Sequence, residues 1–316
     1  MSSSSSSEQW APALSVSRAR DFMKCPLKFR LLVVDRIPSP ATRATAMGTL
    51  VHAVLEHLFD VPQHDRTPEH AQELVAPQWE VLRSNDHTVM NLFDSEEDLQ
   101  SWMRDVRTVI EQYFHIEDPR WLEPVGREEL ITVVMPEGIR LRGFIDRIDQ
   151  APTGQLRVVD YKTGKAPSPR FQDEALYQMR FYALLLQLTR ELPARTQLVY
   201  IKSGQVLTLD PTDADMVDIR ADVAQLWERI ESAARQRRFV PTKNPLCNWC
   251  HVQSMCPIFG GQVPDIPEEG IERVLSMRAS QYVTLVRLRL PRASGRRSAA
   301  GSRRGRPDPG GTRRRG

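Results

Sequence analysis

The sequence has few cysteines and no long apolar run. Of its 316 residues, four are cysteine. No apolar stretch approaches the roughly 18 residues that a membrane-spanning helix needs. Residues 1–10 are a serine run without an apolar segment, so nothing directs the chain to an oxidising compartment and disulfides are disfavoured. We therefore expect a cytoplasmic protein.

Charge is distributed unevenly along the chain. The net charge is +3 and the hydrophobic content 41%, enough for a full core. Residues 287–316 hold eleven arginines and one acid, which leaves the first 286 residues at −7. With almost no apolar side chains, this tail cannot bury enough surface to fold. It is either an inert extension or a nucleic-acid contact acting by counterion release through Arg303, Arg304, Arg313, Arg314 and Arg315.

The four cysteines form an unusual set. Cys25 is isolated, whereas Cys247, Cys250 and Cys256 form a C-x2-C-x5-C cluster. Four thiolates can bind one metal centre. Such a centre would close a loop from Cys25 to Cys256 and remove chain entropy from the unfolded state, which would stabilise the fold by roughly 4 to 5 kcal/mol. Structural zinc, with His251 as a possible substitute ligand, and an iron–sulfur cubane both remain open. Three local ligands and one distant ligand favour the cubane.

Hydrophobic periodicity predicts helices at both ends and a sheet between them. Helical spacing begins at Ser15 and recurs through 46–59, through two or three helices in 68–115, and through 173–189 and 212–237. A period of two predicts strands over 129–135, 141–149 and 156–161, which form a meander, and over 197–201 and 205–209.

Two acids on neighbouring predicted strands suggest a metal site. Asp146 and Asp160 can converge at one edge of the sheet, where two carboxylates repel unless a cation lies between them. Lys162, two residues after Asp160, projects from the same face of its strand. Its ammonium group can hold or deprotonate a water molecule beside the metal.

Three helical residues could complete this site. Gln178 and Tyr182 are four residues apart, so they share one face of the helix that follows the meander. Gln178 could orient the attacking water, and Tyr182 could touch the substrate strand. Taken alone, the Gln178/Tyr182 pair is typical of an ordinary core rim. A lone helical histidine such as His52, in the stripe Gly48-x3-His52-x3-Glu56, is usually a satisfied rim residue, but two convergent aspartates make it a candidate ligand.

Six short motifs occur along the chain. CPLKFR lies near the start and is followed, in this order, by GTLVHAVLE, GFIDRID, VVDYKTG, QMRFY and CNWCHVQSMC. This series resembles the PD-(D/E)XK nucleases of the RecB exonuclease family, specifically the iron–sulfur branch that includes CRISPR-associated exonucleases and the AddB nuclease domain. The resemblance covers about residues 14–260. The sequence departs from the usual pattern of the family at Asp160, where glutamate is commoner. The side chain that would bind the metal is then shorter but keeps its charge.

The resemblance implies a role for each residue of these motifs. His52, Asp146, Asp160 and the carbonyl of Tyr161 would bind catalytic Mg²⁺ or Mn²⁺, and Lys162 would be the catalytic lysine. Gln178 and Tyr182 would form the trailing motif. The cysteines Cys25, Cys247, Cys250 and Cys256 would hold a [4Fe-4S] cluster.

We therefore expect an α+β fold with a restriction-endonuclease-like α/β core. Its mixed central sheet would be flanked by helices, with a helical insertion at about 66–118 and an iron–sulfur clip joining the N- and C-terminal regions. The expected parts are a serine-rich leader (1–13), a nuclease domain (14–260), an extension (261–286) and the arginine tail (287–316).

The expected activity is metal-dependent DNA exonucleolysis on single-stranded or unwound ends, in repair or recombination. No G-x4-G-K-[ST] phosphate-binding loop occurs, so any helicase would be a separate partner. The alternatives are a non-catalytic DNA-binding subunit of a helicase–nuclease complex and a zinc-bound enzyme. Intact Asp146, Asp160 and Lys162 disfavour the former.

Overall fold

The computed structural model describes residues 11–279. These residues form a five-stranded mixed sheet in the order β1-β2-β3-β4-β5. The strands are β1 (Pro124–Val134), β2 (Arg140–Gln150), β3 (Leu156–Lys162), β4 (Arg195–Tyr200) and β5 (Gln205–Leu209). The predicted α+β class and mixed sheet are confirmed, and the arginines proposed as tail contacts lie outside the described residues.

Eight α-helices are found within residues 11–279. They are α1 (Val16–Lys24), α2 (Pro26–Phe29), α3 (Arg43–Leu58), α4 (Pro68–Asn85), α5 (Glu96–Tyr113), α6 (Asp173–Thr189), α7 (Asp213–Arg235) and α8 (Glu268–Leu275). A π-helical turn, Arg30–Val34, follows α2. In this part of the chain, no helix is both long and apolar enough to cross a bilayer.

Strand pairing sets which strand ends meet. β1, β2 and β3 pair antiparallel, as the predicted meander requires. β3 and β4 pair parallel, with Lys162 opposite Tyr200, because α6 returns the chain across the sheet before β4 begins. The carboxyl ends of β3 and β4 therefore lie side by side at one edge of the sheet.

Two hydrophobic cores cover the sheet. One contains buried side chains of α1, β2, α6, α7 and α8. The other is formed by the apolar faces of α3, α4 and α5 with Val159 and Tyr161 of β3. The helices of the predicted insertion thus share a core with the strand that carries Asp160.

The N- and C-terminal parts of the described chain are in contact. Gly270 of α8 lies so close to Val34 that an added Cβ would be 2.4 Å from its carbonyl oxygen. Leu14 donates its backbone N–H to Arg140, and Arg140 donates to Met277. Residues 261–279 are therefore packed into the main core through Ile271, Val274 and Met277.

Candidate metal centre

The candidate centre lies where α3, β1, β2 and β3 meet. Asp146 of β2 and Asp160 of β3 are almost completely buried, with 9% and 3% of their surfaces exposed. The backbone N–H of Tyr161 donates to Asp146 Oδ2 at 2.6 Å. The antiparallel register thus brings the two acids to one edge, as the sequence predicts.

His52 reaches this edge from α3. Its Nε2 is 3.0 Å from the carbonyl oxygen of Tyr161, and its Nδ1 is 3.5 Å from Asp146 Oδ2. An Nε2–H that donates to a backbone carbonyl leaves Nδ1 as the free ligand atom, the arrangement common around metal-bound histidines. A carbonyl oxygen has two lone pairs, so Tyr161 can accept from His52 and still offer a lone pair to a cation.

Glu128 is a site residue that the sequence reasoning missed. Its Oε1 is 3.6 Å from His52 Nδ1. Among the described residues, the ligand atoms of His52, Glu128 and Asp146 form a group in which all lie within 4.8 Å of one another. Glu56, one turn after His52, does not belong to this group. Nothing in the sequence distinguishes Glu128 from its neighbour Glu129.

The backbone of Glu128 explains how it reaches the site. Its φ angle is +41°, a left-handed conformation that is costly for a residue with a side chain. It lies between the pairs Arg127↔Arg147 and Glu129↔Ile145, directly opposite Asp146. In a regular strand, side chains three residues apart point to opposite faces of the sheet. Ile145 and Ile148 of β2 nevertheless enter the same core, so the alternation is interrupted between them. The irregularity directs Glu128 and Asp146 towards His52.

Asp160 is held by two different partners. Gln178 of α6 donates its Nε2–H to Asp160 Oδ1 at 2.8 Å, and Lys162 Nζ is 2.5 Å from Asp160 Oδ2. Gln178 also hydrogen-bonds Tyr182, whose phenol pKa is raised by burial and by the charges of Asp160 and Asp146. The predicted set of Asp160, Lys162, Gln178 and Tyr182 is thus contiguous.

Gly143 permits Tyr182 to approach β2. An added Cβ on Gly143 would be 2.6 Å from Leu185 Cδ1 and 3.1 Å from Tyr182 Cε1. A larger residue would clash with these two side chains, which would have to move. The glycine of the GFIDRID motif therefore permits the close packing of Tyr182 and Leu185 against β2.

The site has an excess of negative charge that shifts two pKa values upward. Burial and the nearby charge of Asp160 raise the pKa of Asp146 to about 7. Burial lowers the pKa of His52, but its hydrogen bond to Glu128 and the charges of Asp146, Asp160 and Glu128 outweigh burial and raise the value to about 9. A bound cation would relieve the repulsion among these carboxylates.

A mixed sheet with two buried acids and a lysine at one edge is the arrangement expected of a metal-dependent nuclease. A family model for the PD-(D/E)XK nuclease superfamily matches residues 13–257. The chain belongs to this superfamily. Its fold is of the restriction-endonuclease-like type, and PD-(D/E)XK nucleases use divalent metal ions.

The chain is also similar to two curated proteins and to one solved structure. The Gene 69 protein of Mycobacterium phage L5 is 24% identical over 288 residues, covering 78% of this chain and 97% of the relative. The Gene 69 protein of Mycobacterium phage D29 is 26% identical over 270 residues, with the same coverage. The crystal structure of a predicted exonuclease from Eubacterium rectale matches 79% of this chain and 92% of its own, with a TM-score of 0.51 and 13% identity. This last likeness concerns the fold alone.

We expect Glu128→Gln to weaken binding of Mn²⁺ about 10-fold or more, because a neutral amide replaces a charged oxygen ligand. Isothermal titration calorimetry of the full chain measures the effect. Glu129→Gln is the matched control, since the adjacent Glu129 pairs instead with Arg190. Equal affinities of the two variants would show that Glu128 lies outside the ligand set.

Metal affinity should also rise with pH. The pKa values of Asp146 and His52, about 7 and about 9, both lie above the usual values for these groups. Protons therefore compete with the metal at low pH and leave as the pH increases, so binding should strengthen from about pH 6 to about pH 9. Mn²⁺ titrations across this window test the sign, and an affinity independent of pH would contradict it.

Proposed function

We propose that this protein is a divalent-metal-dependent DNA exonuclease that hydrolyses phosphodiester bonds at single-stranded or unwound ends, in DNA repair or recombination. We further propose that it belongs to the iron–sulfur branch of the RecB family. The observation that carries the catalytic part is the convergence of Asp146, Asp160 and Lys162 at one edge of the sheet, with His52 and Glu128 beside them.

The ligand set we propose for Mg²⁺ or Mn²⁺ is His52, Asp146, Asp160 and the Tyr161 carbonyl, with Glu128 added. These are the hard oxygen donors that such ions prefer, together with one imidazole. When bound, the ion would polarise the scissile phosphate and lower the pKa of a water molecule. The surplus of carboxylates around Asp146 supports this choice, because without a cation they repel one another.

The remaining residues act on the water and on the developing charge. Lys162 Nζ, beside Asp160, would hold the attacking water and stabilise the negative charge on the phosphate oxygens. Gln178 fixes the orientation of the Asp160 carboxylate through its hydrogen bond. The phenol of Tyr182 stays protonated at neutral pH and can donate to the substrate strand.

The cysteines support the iron–sulfur assignment by their positions. Cys25 Sγ accepts a hydrogen bond from the backbone N–H of Thr242, and Cys247 Sγ accepts one from Asn244. Cys25, Cys250 and Cys256 pack around the same small apolar cluster. Because Cys25 shares this cluster with Cys250 and Cys256, the two ends of the loop from residue 25 to residue 256 meet. All four cysteines are half-buried.

The layout of the cysteines along the chain favours a cubane over zinc. Three of the proposed ligands are local and the fourth is distant, whereas a structural zinc site normally brings two local pairs. In a [4Fe-4S] cluster each thiolate binds a different iron. We assign the cluster a structural role.

We expect Asp160→Ala and Lys162→Ala each to lower DNA cleavage about 100-fold or more while DNA binding persists, because each removes a group that acts on the reacting phosphate. End-labelled single- and double-stranded DNA with Mg²⁺ or Mn²⁺ measures the activity, and a closed single-stranded circle separates exonuclease from endonuclease. Asp210→Ala is the control, because Asp210 is an exposed acid that follows β5 and pairs with Arg195 at the start of β4, away from Lys162.

Cleavage of the linear strand by the wild type and sparing of the circle is the expected pattern. Full activity in Asp160→Ala would contradict the assigned site. A wild-type protein that binds DNA without cleaving it would instead indicate the non-catalytic DNA-binding subunit.

A [4Fe-4S] cluster would give the protein a brown colour. We expect Cys25→Ala to remove this visible absorbance and lower the melting temperature, because Cys25 is the one N-terminal ligand of the proposed cluster. Iron content, visible absorption after anaerobic purification and thermal melts measure these effects. His251→Ala is the matched control, since His251 adjoins Cys250 and faces Ser39. An unchanged iron content and melt in Cys25→Ala would refute the cluster, and a colourless zinc-containing wild type would indicate the zinc alternative.

A further inference from the structure

Three exposed basic side chains lie at the edge of the sheet where β3 and β4 end. Lys165 and Arg170 belong to the segment 163–172, which joins β3 to α6, and Lys202 lies in the turn Ile201–Ser203 after β4. Because β3 and β4 are parallel neighbours, both connections leave the sheet side by side, about 4.8 Å apart. This is the edge at which Asp160 and Lys162 lie.

Within residues 11–279, the side chains of Lys165, Arg170 and Lys202 make no ion pair and no hydrogen bond, and all three residues are exposed. Glu174, at the start of α6, pairs with Arg20 and Lys24, so other cations balance its charge. The positive charge of Lys165, Arg170 and Lys202 is thus available to an anionic ligand.

An exposed aromatic ring adjoins one of these cations in the same segment. Phe171 directly follows Arg170, and 75% of its surface is exposed. Burying this ring in the fold would have been favourable, so its exposure suits a ligand that covers it. Cations that contact phosphates, interleaved with a ring on which a base can stack, are the combination found in sites for single-stranded nucleic acid. The bases of a duplex are already stacked and do not offer this contact.

The connection to the reacting residues is short. Lys165 is three residues after Lys162, at most about 10 Å of chain. Phe171 is seven residues before Gln178, about 10 Å along the path of α6. A strand held by these side chains would therefore be held within a few nucleotides of the residues proposed to act on the phosphate.

We propose that Lys165, Arg170, Phe171 and Lys202 form a binding surface for single-stranded nucleic acid at the mouth of the candidate metal centre. The inference rests on the proposed function and names residues that would hold its single-stranded substrate. The cations neutralise consecutive phosphates, and the ring of Phe171 stacks on one base. The surface selects single strands because an unstacked base is required.

Binding can be measured separately from cleavage. Fluorescence anisotropy of a labelled oligothymidylate, with the full chain in EDTA and at several salt concentrations, gives affinity without hydrolysis. Phe171→Ala should weaken binding roughly 5- to 100-fold. The triple variant Lys165→Gln, Arg170→Gln, Lys202→Gln should lower the slope of log affinity against log salt by about 2, because each phosphate that a cation neutralises on a single strand adds about 0.7 to that slope.

Two remote variants serve as controls. Trp121 is 83% exposed and lies just before β1. β1 begins at Pro124, which pairs with Asp149, and Asp149 pairs with Arg157 near the start of β3. Trp121 therefore lies near the end of the sheet opposite to Lys162. Trp121→Ala therefore removes an exposed ring far from the proposed surface. Arg83→Gln changes the net charge at a residue paired with Glu80 on α4. Both should bind oligothymidylate as the wild type does.

Each outcome bears on the proposal. Weaker binding in the surface variants alone, with duplex affinity little changed by Phe171→Ala, supports it. The proposal would be overturned if the surface variants kept the affinity and salt slope of the wild type, or if the control variants lost as much affinity. It would also be overturned if Phe171→Ala weakened the binding of duplex DNA as much as that of the oligonucleotide. A wild type that binds the oligonucleotide through this surface but never cleaves DNA would refute the proposed function and leave the surface standing.

Discussion

The structure depends on one buried guanidinium group. Arg147 is 1% exposed and binds Glu117 through two hydrogen bonds, Asp149 at 3.0 Å, and the hydroxyl of Tyr161. An unpaired charge in this position would cost several kcal/mol. Because these partners come from different parts of the chain, β2, β3 and the end of the helical insertion must all be in place together.

The hydrogen bonds of Arg147 support the candidate centre from the face of the sheet that packs against the helical insertion. Arg147 directly follows Asp146, and Tyr161 directly follows Asp160, so each strand presents an acid to the metal site and the next side chain to the insertion. The Tyr161 backbone also bonds Asp146 and His52. The insertion is therefore part of the support of the catalytic edge, through the shared core around Tyr161.

The candidate centre concentrates negative charge at one edge of the sheet. Asp146 and Asp160 are buried there, Glu128, His52 and Lys162 are partly exposed, and Glu128 adopts a costly backbone conformation. Strain and repulsion of this kind persist where the surrounding fold overrides them, and they are typical of functional sites. The unpaired cations on the segment 163–172 lie on the solvent side of the same edge, where an anionic polymer would meet them.

The sequence by itself determined the periodic elements and pointed to the candidate site residues. Alternation predicted the meander, helical spacing predicted α6 over its full length, and the D-x-K spacing placed Lys162 beside Asp160, because these relations are local. Tertiary structure decided the parallel pairing of β3 with β4, the packing of residues 261–279 into the core, and the choice of Glu128 over Glu129. Those depend on contacts between distant segments and on one left-handed residue, which neither spacing nor residue type encodes.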